Sequence, residues 1–190
     1  FLASWIFAAA ALVLTFPFWL TVNYLGAPDN GVIAGSYLGS WVLAGCMLAI
    51  SQTMSALTKN QVIALVLAVI VNFLFFLSGV EYVLGFFRMF APAAVVDMVA
   101  SFSFLVHFGT IAGGLLEMRD VVFFVSVILL FNVTTILVVS FRTSGTSRWL
   151  KSTQAAYYVL FFLLLLTAFT GLNLTANRFL RTEQYDFTQE

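Results

Sequence analysis

The stretch VVFFVSVILLFNVTTILVVSF, residues 121–141, contains no charged side chain. As a helix rising about 1.5 Å per residue it would be about 31 Å long, which matches a hydrocarbon core of about 30 Å. Lipid offers no hydrogen-bond partners, so only helices and closed barrels can cross it. Barrel strands are short and alternate polar with apolar residues, whereas this stretch is long and continuously apolar. It therefore predicts a transmembrane helix.

Four other stretches are comparably long and apolar. Together the five predict an all-α, polytopic membrane protein with about five transmembrane helices. We name them, in chain order, span A (Phe1 to Leu25), span B (Val32 to Leu57), span C (Val62 to Val80), span D (Val121 to Phe141) and span E (Ala155 to Leu174).

The composition agrees with a lipid environment and excludes several functions. Hydrophobic residues make up 62% of the chain and charged residues only 8%, with a mean hydropathy of +1.05. Soluble domains carry about 25% charged residues. The net charge is zero and no basic cluster is present, so we expect no nucleic-acid partner. Metal-ligand spacing and a phosphate-binding glycine loop are both absent. We therefore predict no catalytic residue, cofactor or metal in this chain.

The segment between spans C and D, Glu81 to Asp120, mixes apolar and charged residues. We expect interfacial or re-entrant helices here, meeting near Pro92. The stretch from Ala93 to Leu116 is long enough to form a sixth crossing, but Asp97 and His107 within it argue against that alternative.

Basic residues indicate the orientation of the spans. Lys59 lies in the loop between spans B and C, and Arg142, Arg148 and Lys151 lie in the polar linker after span D. Short loops rich in Lys and Arg stay in the cytoplasm. With five crossings these two loops share one side, so we predict that this side is cytoplasmic.

Two groups of residues are candidate sites. Gly31, Gly35 and Gly39 repeat every four residues, a spacing that lets helices approach closely. The sequence leaves open whether this face packs internally or against a second copy. Arg88 and Asp97 could pair across the turn at Pro92, and with His107 they form a candidate interfacial polar cluster. A structural role for His107 is favoured over a proton relay.

The polar residues inside the spans carry no charge. We expect them to form hydrogen bonds between helices rather than to line a substrate path. These residues are Asn23, Ser51, Gln52, Thr53, Asn72, Asn132, Thr134 and Thr135.

Several motifs, taken in order, resemble the second half of ABC-2-type permeases, and most closely the gliding-motility-type branch. The resemblance covers Phe1 to Phe141. It is carried by Thr15-Phe16-Pro17, Tyr24 to Asp29, Gly35-Ser36-Tyr37-Leu38-Gly39, Ala49 to Gln61, His107-Phe108, Gly113-Gly114 and Glu117-Met118-Arg119-Asp120.

The resemblance implies a domain organisation. Residues 1–141 correspond to the last four spans of such a permease, without its first two spans and coupling helix, so we expect the chain to be a fragment. Residues 142–154 form a cytoplasmic linker. Residues 155–190, with Tyr185-Asp186-Phe187-Thr188, resemble the start of the auxiliary component found beside that permease: one span and the start of an extracytoplasmic region.

The function implied is that of a membrane subunit of an ATP-driven exporter in the bacterial inner membrane. ATP hydrolysis would occur on a separate ABC ATPase subunit. A second permease copy, as a homodimer, and the auxiliary extracytoplasmic domain would be further partners, and the bilayer would surround the spans. Two alternatives remain: an enzyme acting on lipid through His107 with Asp97 or Glu117, and an anchor that does not transport.

Overall fold

The computed structural model describes residues 1–114 and 117–143, with Leu163, Leu164, Thr167, Phe169, Thr170, Gly171 and Thr175 beyond them. Most of span E, the linker from residue 144 onward and the auxiliary region lie outside the described residues. The helices of the continuous part are α1 (Leu2–Leu14), α2 (Phe16–Leu25), α3 (Asn30–Leu57), α4 (Gln61–Leu77), α5 (Glu81–Arg88), α6 (Ala93–Ser101), α7 (Phe104–Ala112) and α8 (Met118–Thr143).

The described part is all-α, and its helices are those of a polytopic membrane protein, as predicted. Three stretches are long and apolar enough to cross a membrane: Leu2–Leu25, Asn30–Leu57 and Met118–Thr143. The number rises to five if each of two bent helix pairs counts as one span. The first pair is α4 with α5, bent by 77°, and the second joins α6 to α7 with a bend of 54°.

Three predicted boundaries differ from the structure. Span A is broken at Thr15, just before Pro17, whose missing N–H cannot continue the ladder of hydrogen bonds. Span C ends at Leu77 instead of Val80. Span D continues to Thr143, so Arg142 belongs to the helix and not to the linker.

Helices α3 and α8 run parallel to each other, as three contacts along their length show. The Cys46 thiol lies 3.4 Å from the Phe124 carbonyl oxygen, and the hydroxyls of Thr53 and Thr135 are 2.8 Å apart. Further along, the Arg142 guanidinium donates to the Leu57 carbonyl at 2.7 Å. Sequence number therefore increases in the same direction in both helices.

This parallel arrangement shows that the segment from α5 to α7 makes no net crossing. A three-residue connection, Thr58 to Asn60, turns α4 back along α3, where the Asn72 amide approaches the Ser51 hydroxyl at 3.4 Å. Since α8 then repeats the direction of α3, the chain must leave and re-enter on the same side. The described residues between Glu81 and Asp120 therefore make no net crossing.

The two basic segments lie at the same end of the helices. Arg142 donates to the carbonyls of Leu57 and Thr58, beside Lys59 in the connection between α3 and α4. Asp120 lies about 33 Å along α8 from Arg142 at about 1.5 Å per residue, which is close to the thickness of the hydrocarbon core. The start of α8 therefore lies near the opposite membrane boundary.

An aromatic core lies where α3, α4, α7 and α8 meet. Phe104, Phe123 and Phe124 are fully buried. Phe104 stacks on Phe75 of α4 with ring centroids 5.0 Å apart and contacts both α8 rings. In contrast, α1 and α2 bury no residue and present large apolar side chains outward, as expected of surfaces that face lipid chains.

The orientation can be tested with single cysteines in intact cells. Ala27 and Gln61 are both exposed, at opposite ends of α3 and its connections. We expect a membrane-impermeant maleimide to label Ala27→Cys directly and Gln61→Cys only after permeabilisation, because the Lys59 end should be cytoplasmic. The parent chain is the blank, since its Cys46 is fully buried. The reverse labelling pattern would invert the proposed orientation.

Candidate functional site

The bent pair α6–α7, which we call the hairpin, inserts its second helix between α3, α4 and α8. Ser103 stands at the bend, fully buried, and its hydroxyl accepts from the backbone N–H groups of Leu105 at 3.2 Å and Val106 at 3.4 Å. These N–H groups at the helix start would otherwise lack partners inside the protein. Gly79 lies directly against Ser103, which allows the end of α4 to approach the bend.

The predicted glycine face of span B lies against α7 of the same chain. A Cβ on Gly35 would collide with the carbonyl oxygen of Ile111, and one on Gly39 would lie 3.3 Å from the Phe108 ring. Gly31 lies beside Gly114, whose φ of +84° is a conformation that favours glycine. In this structure the glycine repeat therefore packs against α7 and Gly114 of the same chain.

His107 and Asp120 form a buried pair that joins α7 to α8. Their side chains are 3% and 0% exposed, and His107 Nδ1 lies 2.6 Å from Asp120 Oδ1. The other ring nitrogen, Nε2, lies 2.9 Å from the backbone carbonyl oxygen of Ser101. The imidazole also stacks on the Phe123 ring at 4.0 Å. The ring is therefore fixed on both edges and one face.

The hydrogen-bond partners of the two ring nitrogens limit where the protons of this pair can lie. The Ser101 carbonyl can only accept, so Nε2 must carry a hydrogen. A second proton must then lie between Nδ1 and Asp120 Oδ1, because two lone pairs would repel at that distance. The pair is either an imidazolium with a carboxylate or an imidazole with a carboxylic acid. Both forms have no net charge, which limits the cost of burial.

Two charged neighbours extend the pair toward the surface. Arg119 Nε lies 3.6 Å from Asp120 Oδ1, and Arg119 Nη2 lies 3.1 Å from Glu117 Oε2. The side chains of Arg119 and Glu117 are about a third exposed, at 27% and 33%. Two atoms in this group are buried without a hydrogen-bond partner among the described residues: Asp120 Oδ2 and Arg119 Nε.

The predicted polar cluster of Arg88, Asp97 and His107 is not assembled. Arg88 pairs with Glu81 on its own helix at 3.5 Å, because the two lie on one face of α5, and Asp97 is exposed on α6. Glu117 pairs with Arg119 instead of His107. The prediction missed Asp120 as the partner. A signal was present in the sequence, since Asp120 opens an uncharged span 13 residues after the single histidine.

The polar residues inside the spans largely form the expected hydrogen bonds between helices. Asn23 donates to Asn30 of α3, Asn72 of α4 donates to the Ser51 hydroxyl of α3, and the hydroxyls of Thr53 and Thr135 join α3 to α8. Asn132 and Thr134 bond the carbonyl four residues earlier in their own helix.

A groove of about 940 Å³ lies between α3 and α4 and is open at the surface of the protein. Ser51, Ser55, Gln61 and Asn72 are its polar lining, and Asn72 Oδ1 is buried there without a partner among the described residues. Among the same residues, no group of three or more His, Cys, Asp or Glu side chains is placed to hold a metal ion.

Comparisons with known proteins give no family assignment. No family model, no curated protein and no solved structure was found to match the chain.

The fit of α7 on α3 can be tested with two glycines. Gly35→Ala should destabilise the protein by about 1–3 kcal/mol, because its methyl group meets a backbone oxygen that cannot move aside. Gly109→Ala, on α7, is the matched control: nothing lies within 4 Å of its Cβ, and alanine is the better helix former. Thermal unfolding in detergent measures both. An equal melting temperature for the two variants would contradict this packing.

The buried pair can be tested with a double-mutant cycle. His107→Ala or Asp120→Ala alone should each destabilise the protein by about 3–5 kcal/mol, because each leaves a buried polar partner uncompensated. The double variant should cost clearly less than the sum. Asp97→Ala, at an exposed site, should be close to neutral. Additive losses would mean that the two side chains do not interact.

Proposed function

We propose that the chain is part of the membrane subunit of an ATP-driven, export-type ABC transporter in the bacterial inner membrane. It would contribute transmembrane helices whose packing changes during transport. ATP hydrolysis would occur on a separate ABC ATPase subunit. A second permease copy and an extracytoplasmic auxiliary domain would complete the assembly.

One observation carries the proposal: residues behind the permease resemblance are also residues that assemble the hairpin. Gly35 and Gly39 contact α7, while His107 and Asp120 join α7 to α8. These motifs lie far apart in sequence, and the fold brings them into one contact region. The support is therefore an agreement between the quoted motifs and the tertiary contacts.

The surroundings of His107 favour transport over an enzyme acting on lipid. A general base needs a free ring nitrogen within reach of its substrate. Both nitrogens of His107 have partners inside the protein, and the residue is 2% exposed. Asp97 and Glu117, the partners that an enzyme would require, lie elsewhere.

The groove between α3 and α4 is the described surface best suited to a moving substrate or partner helix. Its apolar walls with a few hydroxyl and amide groups suit a molecule that is itself largely apolar. Charged side chains do not occur among the residues that line it.

The proposal is tested by affinity purification in mild detergent from cells that carry the complete coding region. We expect a subunit with a phosphate-binding loop to copurify, and its ATPase activity to change when the permease is present. Recovery of the intact permease without any nucleotide-binding subunit would refute the proposal.

A second measurement separates transport from a membrane anchor. The copurifying ATPase is made inactive by replacing the lysine of its phosphate-binding loop. Under the transport proposal the cellular function is lost, although the complex still assembles. If the function persists with the inactive ATPase, the chain acts as an anchor.

A further inference from the structure

We propose that the end of α4, the bend of the hairpin and the start of α8 form a docking surface for span E, with Phe169 as its anchor. Span E would then be held to residues 1–143 by side-chain contacts as well as by the chain that connects them. The identification of span E with the auxiliary component rests on the proposed function, whereas the docking itself does not.

Phe169 is buried against the rest of the protein. It is 7% exposed and belongs to the same core as the rings of Phe104, Phe123 and Phe124. Its ring stacks on that of Phe102, at the bend of the hairpin, with centroids 5.5 Å apart. It also contacts the Phe123 ring of α8 at 6.4 Å. One side chain of span E therefore touches both the hairpin and α8.

Other described residues of span E show the opposite behaviour. Leu163 and Leu164 are 52% and 59% exposed, although both are large and apolar. Thr167 and Gly171 are exposed as well. Burial is thus specific to the position of Phe169 and does not follow from the general apolarity of the span. This pattern indicates one side packed against protein and another that faces lipid.

The depth of Phe169 agrees with the predicted topology of five crossings. Span E should run opposite to span D, so that its end and the start of span D share one membrane boundary. At about 1.5 Å per residue along a helix, Phe123 lies about 4.5 Å beyond Asp120, and Phe169 would lie about 7.5 Å before Leu174. The two rings are therefore expected at similar depth, and in the structure they are in contact.

An apolar cavity of about 380 Å³ lies beside the anchor, with walls from α4, the hairpin, α8 and span E. The two hydroxyl groups among its described lining residues already have acceptors nearby in their own segments. Ser78 donates to the Phe75 carbonyl, and Thr170 donates to the Thr167 carbonyl. The surface therefore asks for no polar partner, which suits an apolar transmembrane segment.

The rings of the docking surface explain how it can compete with lipid. Helices in a bilayer associate through packing, because lipid tails are as apolar as the side chains that they would replace. Paired aromatic rings attract each other beyond the area that they bury, which an acyl chain does not reproduce. Phe123 is itself fully buried and stacks on the His107 ring at 4.0 Å. Phe169 therefore meets a surface that is already fixed.

Cross-linking within the full chain tests the docking. A site for a specific protease is placed at Gly145, in the predicted linker, and Ser78→Cys is combined with Thr170→Cys, since both residues line the same cavity. The parent Cys46 is fully buried. After treatment of membranes with a short bifunctional maleimide and cleavage, we expect the two fragments to run as one band on a denaturing gel.

The matched control for this pair is Ser78→Cys with Leu164→Cys, because Leu164 is exposed and lies on another side of a helix than Thr170. Its fragments should separate after the same treatment. Separate fragments for the Ser78 and Thr170 pair, or equal cross-linking of both pairs, would overturn the proposal.

The anchor is tested by cleavage at Gly145 without cross-linking, in mild detergent, with an affinity tag at the start of the chain. We expect the fragment that contains span E to stay bound to the tagged fragment. Phe169→Ala should reduce the bound fraction several-fold, because it removes the ring that packs on Phe102 and Phe123. Leu164→Ala, at an exposed site, should leave the bound fraction unchanged. Equal retention of the two variants, or complete release without either substitution, would refute the anchor.

These experiments do not involve the ATPase, so the two proposals can fail separately. Release of span E from a protein that still copurifies with a nucleotide-binding subunit would refute the docking and leave the transport proposal intact. Retention of span E without any such subunit would support the docking and remove its link to a transporter's auxiliary component.

Discussion

Inside a bilayer, every backbone N–H and C=O group that water does not reach must find its partner within the protein. The hairpin is the described segment where this constraint is hardest to meet, because a bend leaves the ends of α6 and α7 without helical partners. Ser103 supplies acceptors at the start of α7, and Ser36 donates to Ala112 at its end. Further, Ser101 pairs its carbonyl with the His107 ring. Of these groups, Ser36 joins α3 to the end of α7, and His107 joins α7 to Asp120 of α8.

Close approach of the helices follows from these polar requirements. The Ser36 hydroxyl can reach the carbonyl at the end of α7 only if the two backbones nearly touch. Gly35 and Gly39 make that possible, because a methyl group at either position would meet α7. On the opposite side of α7, aromatic rings fill the space around the imidazole, and Phe123 stacks directly on it. The hairpin is therefore packed by small residues on one side and by large ones on the other.

The sequence predicted much of this fold, because a charge-free stretch of helical length in so apolar a chain has few other structures open to it. Spans B and D were located within a few residues for this reason. The break in span A was missed although Pro17 was visible, since proline is often tolerated within transmembrane helices. The glycine repeat indicated close contact but not its partner. Spacing on one helix describes a face, whereas its partner depends on how the remaining helices fold back.

The candidate site was only partly predictable for a related reason. Arg88 and Asp97 were chosen as a pair because they are close in sequence, across Pro92. In the structure, Arg88 pairs with Glu81 of the same helix, α5. The partner of His107 is Asp120, which belongs to α8. Such a pairing depends on the path of the whole hairpin, which periodicity does not describe.

Position along α8 explains how a charged group persists in a chain with so few charges. Asp120 and Arg142 stand near opposite ends of α8, and no charged residue lies between them. Asp120 is thus close to the depth where hydrocarbon gives way to water, although its own side chain is buried. Deeper in the bilayer an ionisable side chain would be costlier to hold. Nearer the surface, water would weaken the interaction that holds α7. The contacts of α7 with α3 are packing and neutral hydrogen bonds, whereas its contact with α8 includes the buried pair of His107 and Asp120.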